Sequence, residues 1–403
     1  MHVLIIEAAL SGHHSGYLGR ISAAYMEAGH TVTVTVLQRD ALHPSLGRLK
    51  TQFGVAFNVL PLVDARYDDA LNSRLGEPGR EFALRRLFGQ AYSIVNRARA
   101  VDYVFLPYLD YCLYAFGLLG SPFGLTQWGG ICMRPSFHYR HFGVIAPTPK
   151  LATTKRALFL RLLRSKTLKS VYTIDELLNC YVAERYSQWA HRLRYLPDPA
   201  ELNGSHTYES ARHALGIPGG AVVVLVYGAI DERKGLDALV AAISSPEVPK
   251  TLHLLVVGQQ SATIQPVLQS TDVSTLTQEG RCHIINSFVD DAMEQMVFAA
   301  SDIIWLGYRN HYVMSGVLVL AASAGKSVIA TQDGLIGWYT WERKLGHVVN
   351  IKELSAITKI LKNLKPDKSI NIDKESRANT PAKNNSWVYF ITHIIDKEHG
   401  DEK

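Results

Sequence analysis

Cysteine is scarce: Cys112, Cys132, Cys180 and Cys282 are the 4 in 403 residues, and no two form a CxxC pair. That excludes a disulfide framework and a thiolate zinc site, and it points to a reducing compartment. Long apolar runs are absent too; none approaches the roughly 20 residues that a membrane helix needs. The N-terminal MHVLIIEAALSGHH has no cationic segment and is interrupted by Glu7, so it reads as a strand, not a signal peptide, and the expected location is cytoplasmic. The GxGxxG fingerprint is missing, because the loop after this strand runs SGHHSG, and a nicotinamide enzyme is not expected on that ground. Acidic residues are lacking over one long interval. Between Asp110 and Asp175 there is none, while Arg134, Arg140, Lys150, Lys155, Arg156, Arg161, Arg164, Lys166 and Lys169 fall there. With a net charge of +6, this favours anionic partners, and residues 134–169 are a candidate face for an anionic membrane surface. The alternative is a core-packed helix with a solvated basic side. No nucleic-acid module accompanies the charge, so nucleic acid is not an expected partner.

What is present is alternation. His2 to Ile6 reads as a strand, the helix that follows buries Tyr17, Ile21, Ala24, Tyr25 and Ala28, and Thr31 to Val36 resumes as strand. Val55 to Leu60, Val101 to Leu106, Val171 to Ile174 and Leu193 to Leu196 continue as strands, and Gly124 to Trp128 as one that ends in a Gly129-Gly130 loop. Helices are expected over 81–100, 111–119, 152–168 and 176–186. Pro197-Asp198-Pro199 stops the series, and a polar, strandless stretch follows. A second series then opens, with strands Val222 to Val226, Leu252 to Val257, Ile284 to Phe288, Ile303 to Leu306 and one starting at Val328. Helices are expected over 236–243, 291–300 and 354–361. The expected domains are 1–198 and 199–365, with a polar linker and an apolar terminal segment over 366–403. That segment reads as a helix packing back on the first domain, with a buried strand as the alternative. The fold class is α/β, with two Rossmann-like doubly wound domains.

Three strand-end turns in the second domain could hold a ligand. Tyr227 to Gly235 places Gly228 at a close-approach position and Arg233 and Lys234 just before a helix, where an ammonium can reach a phosphate; the alternative is a solvated Arg-Lys pair. Gly258 ends the next strand and would let a ligand approach the backbone. Ser315-Gly316-Val317 begins the helix after Ile303 to Leu306, as an anion site or as an ordinary N-cap and turn.

YGAIDERKGLDALVAA, VVGQQ, INSFVDDAMEQMVFAASDIIWLGY and SGVLVLAASAGKSVIAT together resemble the donor half of GT-B glycosyltransferases, in particular glycosyltransferase family 4. SGHHSGYLGRISAAYMEAGHTVTV resembles the opening segment of that family, and PDPAEL its interdomain turn. The resemblance implies two domains facing a cleft and transfer of a sugar from a nucleotide diphosphate donor, of UDP or GDP type. The acceptor would be a glycan, a lipid-linked or a small molecule, and the reaction would proceed with retention, without metal and without a further cofactor. Lys234 matches the lysine on the donor diphosphate, and Ser315, Gly316 and Val317 the loop whose amides meet the phosphates. Two departures stand out. The family's two glutamates, eight positions apart, have no counterpart between His311 and Ala321, which leaves His311 and Tyr312 to face the sugar. The family arginine is replaced by Ala229, with Arg233 as a stand-in. Lys234 would stabilise the leaving diphosphate; an inverting enzyme would need a base, for which His13, His14, Asp110 and His138 are the candidates, with Gly12 and His13 on the loop after the first strand. Alternatives are a silent nucleotide-sugar-binding or partner-binding protein and a nucleotide-sugar epimerase.

Overall fold

The computed structural model describes residues 1–10, 14–200, 202, 206–365 and 386–399. The expected site positions Gly12 and His13 and most of the polar linker lie outside them. The chain divides into two compact units. One comprises Met1–Phe142, Thr148–Pro197 and the helix at Trp387; the other comprises Gly143–Pro147 and the chain from Asp198 to Ser386.

The first unit holds seven strands: β1 (His2–Ile6), β2 (Thr31–Leu37), β3 (Phe57–Leu62), β4 (Tyr103–Leu106), β5 (Gln127–Cys132), β6 (Leu168–Thr173) and β7 (Leu193–Tyr195). They form one parallel sheet in the order β3-β2-β1-β4-β5-β6-β7. Helices α1 (His14–Glu27), α2 (Pro44–Phe53), α3 (Asp64–Leu71), α4 (Gly76–Ala98), α5 (Leu113–Leu119), α6 (Ala152–Leu163) and α7 (Glu176–Arg185) connect them. β1 and β4 are buried throughout, because helices cover both sheet faces and leave no polar side for alternation to mark. β3 carries Pro61, which a sheet tolerates at its edge, where the missing N–H breaks no ladder bond.

The second unit has six strands: β8 (Val222–Tyr227), β9 (Leu252–Val257), β10 (Cys282–Ile285), β11 (Ile303–Leu306), β12 (Ser327–Thr331) and β13 (Gly346–Val349). Their order is β10-β9-β8-β11-β12-β13, again all parallel. The helices are α8 (Tyr208–Ala214), α9 (Leu236–Ile243), α10 (Gln265–Leu268), α11 (Thr271–Gln278), α12 (Asp291–Ala300), α13 (Gly316–Ser323), α14 (Gly334–Glu342) and α15 (Leu354–Lys362). α8 begins in the polar, strandless stretch that follows Pro199. A reciprocal cap between Thr207 and Ser210 starts it, and it buries Arg212, whose guanidinium meets Asp302 at 2.6 Å. α16 (Trp387–His399) returns to the first unit. Trp387 and Phe390 meet the Tyr17 ring edge-on at 5.3 and 5.2 Å, Arg20 stacks over Trp387 at 4.6 Å, and Phe390 and Ile394 are fully buried.

Two expectations are corrected. Gly129-Gly130 is not a loop but the middle of β5. A Cβ on Gly129 would fall 2.2 Å from the Tyr103 hydroxyl, and one on Gly130 2.7 Å from the Leu106 carbonyl oxygen, so these glycines serve close packing with neighbouring strands. The strand expected from Ile284 to Phe288 is β10 instead, which ends at Ile285; Phe288 lies beyond it, 80% exposed.

Candidate functional site

In the second sheet the strand order reverses between β8 and β11, which pair through Ile303–Val224 and Ile304–Leu225. Loops leaving the carboxyl ends of two such strands diverge, and the crevice between them is where open α/β sheets hold ligands. Here those loops are residues 228–235 and 307–315. Glycines set their spacing. Gly258, at φ +135°, lies so close to the Gly228 carbonyl that a Cβ would fall 1.9 Å from its oxygen, and a Cβ on Gly235 would fall 2.1 Å from that of Gly307. Gly258 was expected to admit a ligand; backbone packing occupies that space instead.

Lys234 sits in the single turn Glu232–Lys234 before α9 and is 3% exposed, which rules out a solvated Arg-Lys pair. Its Nζ donates to the Tyr227 carbonyl oxygen at 2.8 Å and to the Tyr308 hydroxyl at 2.5 Å, and lies 4.4 Å from the centre of the Tyr308 ring. An ammonium has three N–H donors, so one is left beyond these two. The point where a Gly228 Cβ would stand is 3.5 Å from Lys234 Nζ and 4.0 Å from Val317 Cγ2, so Gly228, Lys234 and Val317 border one small space that the glycine keeps open. Arg233 Nη1 donates to His311 Nδ1 at 3.1 Å, and its Nε lies 3.6 Å from Asp231. Because arginine can only donate, His311 Nδ1 accepts, and its Nε2 carries the hydrogen toward the Met314 carbonyl at 3.3 Å. His311 therefore braces its own loop. Tyr312 braces as well: its carbonyl accepts from Leu335 N at 3.0 Å, and its Cα would be 2.4 Å from a Cβ on Gly334.

Ser315 stands at the N-cap of α13, buried, yet its hydroxyl makes no capping bond. The ordinary N-cap reading therefore lacks its defining bond, and the positive end of α13 keeps its capacity for an acceptor. Gly316 is exposed, and a Cβ there would fall 3.5 Å from Asp198 Oδ2, so one carboxylate stands beside this helix end.

The first unit has its own reversal, between β1 and β4. Buried Glu7, just after β1, accepts from Ala8 N and lies 3.2 Å from His14 Nδ1. A cavity of about 290 Å³ opens there, lined among others by His14, Glu81, Tyr108, Asp110, Tyr111 and Arg134. Asp110 accepts from Met133 N at 2.7 Å and Arg134 N at 3.0 Å; burial pushes its carboxyl up to about 6, against the pull of those two donors. Glu81 accepts from Tyr114 N and Ala115 N, and burial pushes it up to about 7. His138 is not in this cavity. It is fully enclosed, with Nε2 2.9 Å from Asp175, which in turn caps α7, so its place in the fold corrects its candidacy as a base. Nor does the 134–169 interval stand uncompensated: Lys155 pairs with Glu77 of α4 at 2.9 Å, and Arg164 stacks on Trp189. Among the described residues no group of three metal-binding side chains occurs, and no helix is long and apolar enough to cross a membrane.

No protein-family model matches the chain, and no curated protein matches it. Solved structures do. HepE from Anabaena, in complex with UDP, superposes with a TM-score of 0.65 at 15% identity, over 99% of this chain and 100% of that one. The chain has the GT-B fold. A glycosyltransferase from Rickettsia africae ESF-5 gives 0.61 at 15% identity over 100% and 99% of the two chains. Sucrose-phosphate synthase from Thermosynechococcus elongatus gives 0.60 at 16% over 99% and 97%. Identities this low establish the fold alone.

Within the GT-B chain, Gly228, Lys234, Ser315, Gly316 and Val317 come to one strand-end crevice, while Gly258, His311 and Tyr312 support its walls. Sequence reasoning missed Tyr308, which takes the Lys234 hydrogen bond and packs edge-on against His311 at 5.4 Å. Its position two residues past β11 was the available signal. It also missed Asp198 as a neighbour of Gly316, for which the sequence holds none.

Proposed function

We propose that this chain is a glycosyltransferase that moves a sugar from a nucleotide diphosphate donor to a glycan, lipid-linked or small-molecule hydroxyl. The observation that carries the reading is the grouping of Gly228, Lys234 and the start of α13 where the second sheet reverses. As the bond from the anomeric carbon to the diphosphate breaks, negative charge grows on the leaving oxygen. The remaining Lys234 donor and the positive end of α13 stabilise that charge. The leaving phosphate can take the acceptor's proton, so we propose retention, with no metal and no dedicated base. A uridine donor is the first choice, because HepE is solved with UDP and with UDP-glucose.

The test is incubation with UDP-, GDP- and TDP-sugars, with and without cell lipid extract, scored for nucleotide release and for the anomeric configuration of the product. Release that needs an acceptor and survives chelator supports the reading; absence of both binding and release across the panel overturns it. Binding without release identifies the silent protein. A changed sugar still attached to its nucleotide identifies an epimerase.

A further inference from the structure

The outer side of α4 carries a shallow groove of about 660 Å³. Arg66, Arg85, Arg86 and Arg97 line it with Gln90, Ser93 and Pro122 among others, and no lining residue is acidic. Arg86, Gln90, Ser93 and Arg97 follow at spacings of four, three and four, which keeps them on one helix face. Their recorded partners are uncharged. Arg66 donates to the Gln90 side chain at 2.7 Å, Arg85 to the Gly120 carbonyl at 2.8 Å, and Arg97 to the Ser93 carbonyl at 3.1 Å. Arg66, Arg86 and Arg97 are exposed. Crowded guanidinium groups without carboxylates repel one another, and an anion in the groove would relieve that repulsion.

An apolar rim adjoins the arginines. α5 packs against both α4 and α6, and Arg85 holds its carboxyl end through the Leu119 and Gly120 carbonyls. Leu119 is 57% exposed there, and Leu125, in the loop that supplies Pro122, is 93% exposed. Ile94 of α4 is exposed as well. A site for a small soluble anion gains nothing from bare leucines, whereas a bilayer offers phosphates at one depth and acyl chains just below it. We propose that the α4–α5 face of the first unit docks on an anionic phospholipid surface, with the four arginines at the phosphates and Leu119 and Leu125 dipping beneath them. This surface differs from the 134–169 interval, and the proposal stands independently of the transferase reading.

The test is co-sedimentation of the full chain with vesicles of phosphatidylcholine alone and of phosphatidylcholine containing phosphatidylglycerol. Binding is expected only to the anionic vesicles and is expected to weaken sharply at about 0.5 M salt. Replacing two of the exposed arginines, Arg86→Ala and Arg97→Ala, should weaken partitioning roughly 25-fold, about five-fold for each. Leu119→Ser with Leu125→Ser should weaken it further, and unchanged thermal melting reports an intact fold. Failure to sediment with anionic vesicles at low salt overturns the proposal, as does full binding by the double arginine variant. Loss of binding only on Arg161→Ala with Arg164→Ala moves the surface to α6 and overturns it too. Arginine-dependent binding of inorganic pyrophosphate, without vesicle binding, makes the groove a soluble-anion site and equally refutes docking.

Discussion

Replacing Lys234 by methionine keeps the side chain's apolar stem to the ε position and removes the ammonium, with its charge and all three donors. Two effects follow, and they are separable. In the ligand-free protein the Tyr227 carbonyl and the Tyr308 hydroxyl lose a charged donor at 2.8 and 2.5 Å, inside a site where Lys234 is 3% exposed. That loss costs about 1–3 kcal/mol of stability. For a unit of this size it lowers the melting temperature by about 2–4 °C per kcal/mol. With a diphosphate bound, the remaining N–H at the Gly228 side is lost as well. A charge-assisted hydrogen bond contributes about 1.5–3 kcal/mol, so the dissociation constant for UDP should rise about ten- to 150-fold. Calorimetric titration with UDP, beside a thermal melt of the same preparation, measures both. A lowered melting temperature with UDP affinity within two-fold of the parent protein would refute the diphosphate role and leave Lys234 as a brace between Tyr227 and Tyr308.

Three other perturbations test the surrounding physics. Gly258→Ala puts a Cβ 1.9 Å from the Gly228 oxygen at a φ of +135°, so it should destabilise the second unit by at least about 3 kcal/mol, and a urea midpoint close to the parent's would contradict the packing described. Glu81 has a carboxyl raised from 4.5 to about 7, so between those values the folded state binds more protons than the unfolded one and stability falls as pH rises. Urea midpoints at pH 5 and pH 8 should converge in Glu81→Gln, and an equal pH slope in both proteins would sink the assignment. Asp302→Ala strands Arg212, which meets Asp302 at 2.6 Å and is 2% exposed; the loss should be about 3–5 kcal/mol, with Arg212→Met on top recovering part of it, and simple additivity in a double-mutant cycle would argue against coupling.

Buried strands and the short helices beside them were the most legible part of the chain. Leu252 to Val257, Ile303 to Leu306 and the helices over 236–243 and 291–300 lie where their patterns put them, because burial on both sides leaves the run itself as the signal. α8 was opaque for the opposite reason. Arg212 anchors it to Asp302 and Ala300, 90 and 88 positions away in sequence, as well as to Ala221 close by. The Gly129-Gly130 pair has the local look of a turn, and only the neighbouring strands make it a packing site. At the site, glycine and lysine spacing named residues that do converge, but spacing carries no information on what a side chain already holds. Lys234 is bonded twice within its own unit, and His138 is walled in with Asp175.

The return of α16 to the first unit sets an order on biosynthesis. The strands of that unit are complete once Pro197 has left the ribosome, but the helix that covers Tyr17 begins at Trp387, 190 residues later (387 − 197). At roughly 5–20 residues per second, the nascent first unit waits about 10–40 s with the α1 side of Tyr17 uncovered. During that interval its bare aromatic surface makes it a candidate client for chaperones. A chain cut short before Trp387 would keep its complete first sheet and still remain such a client.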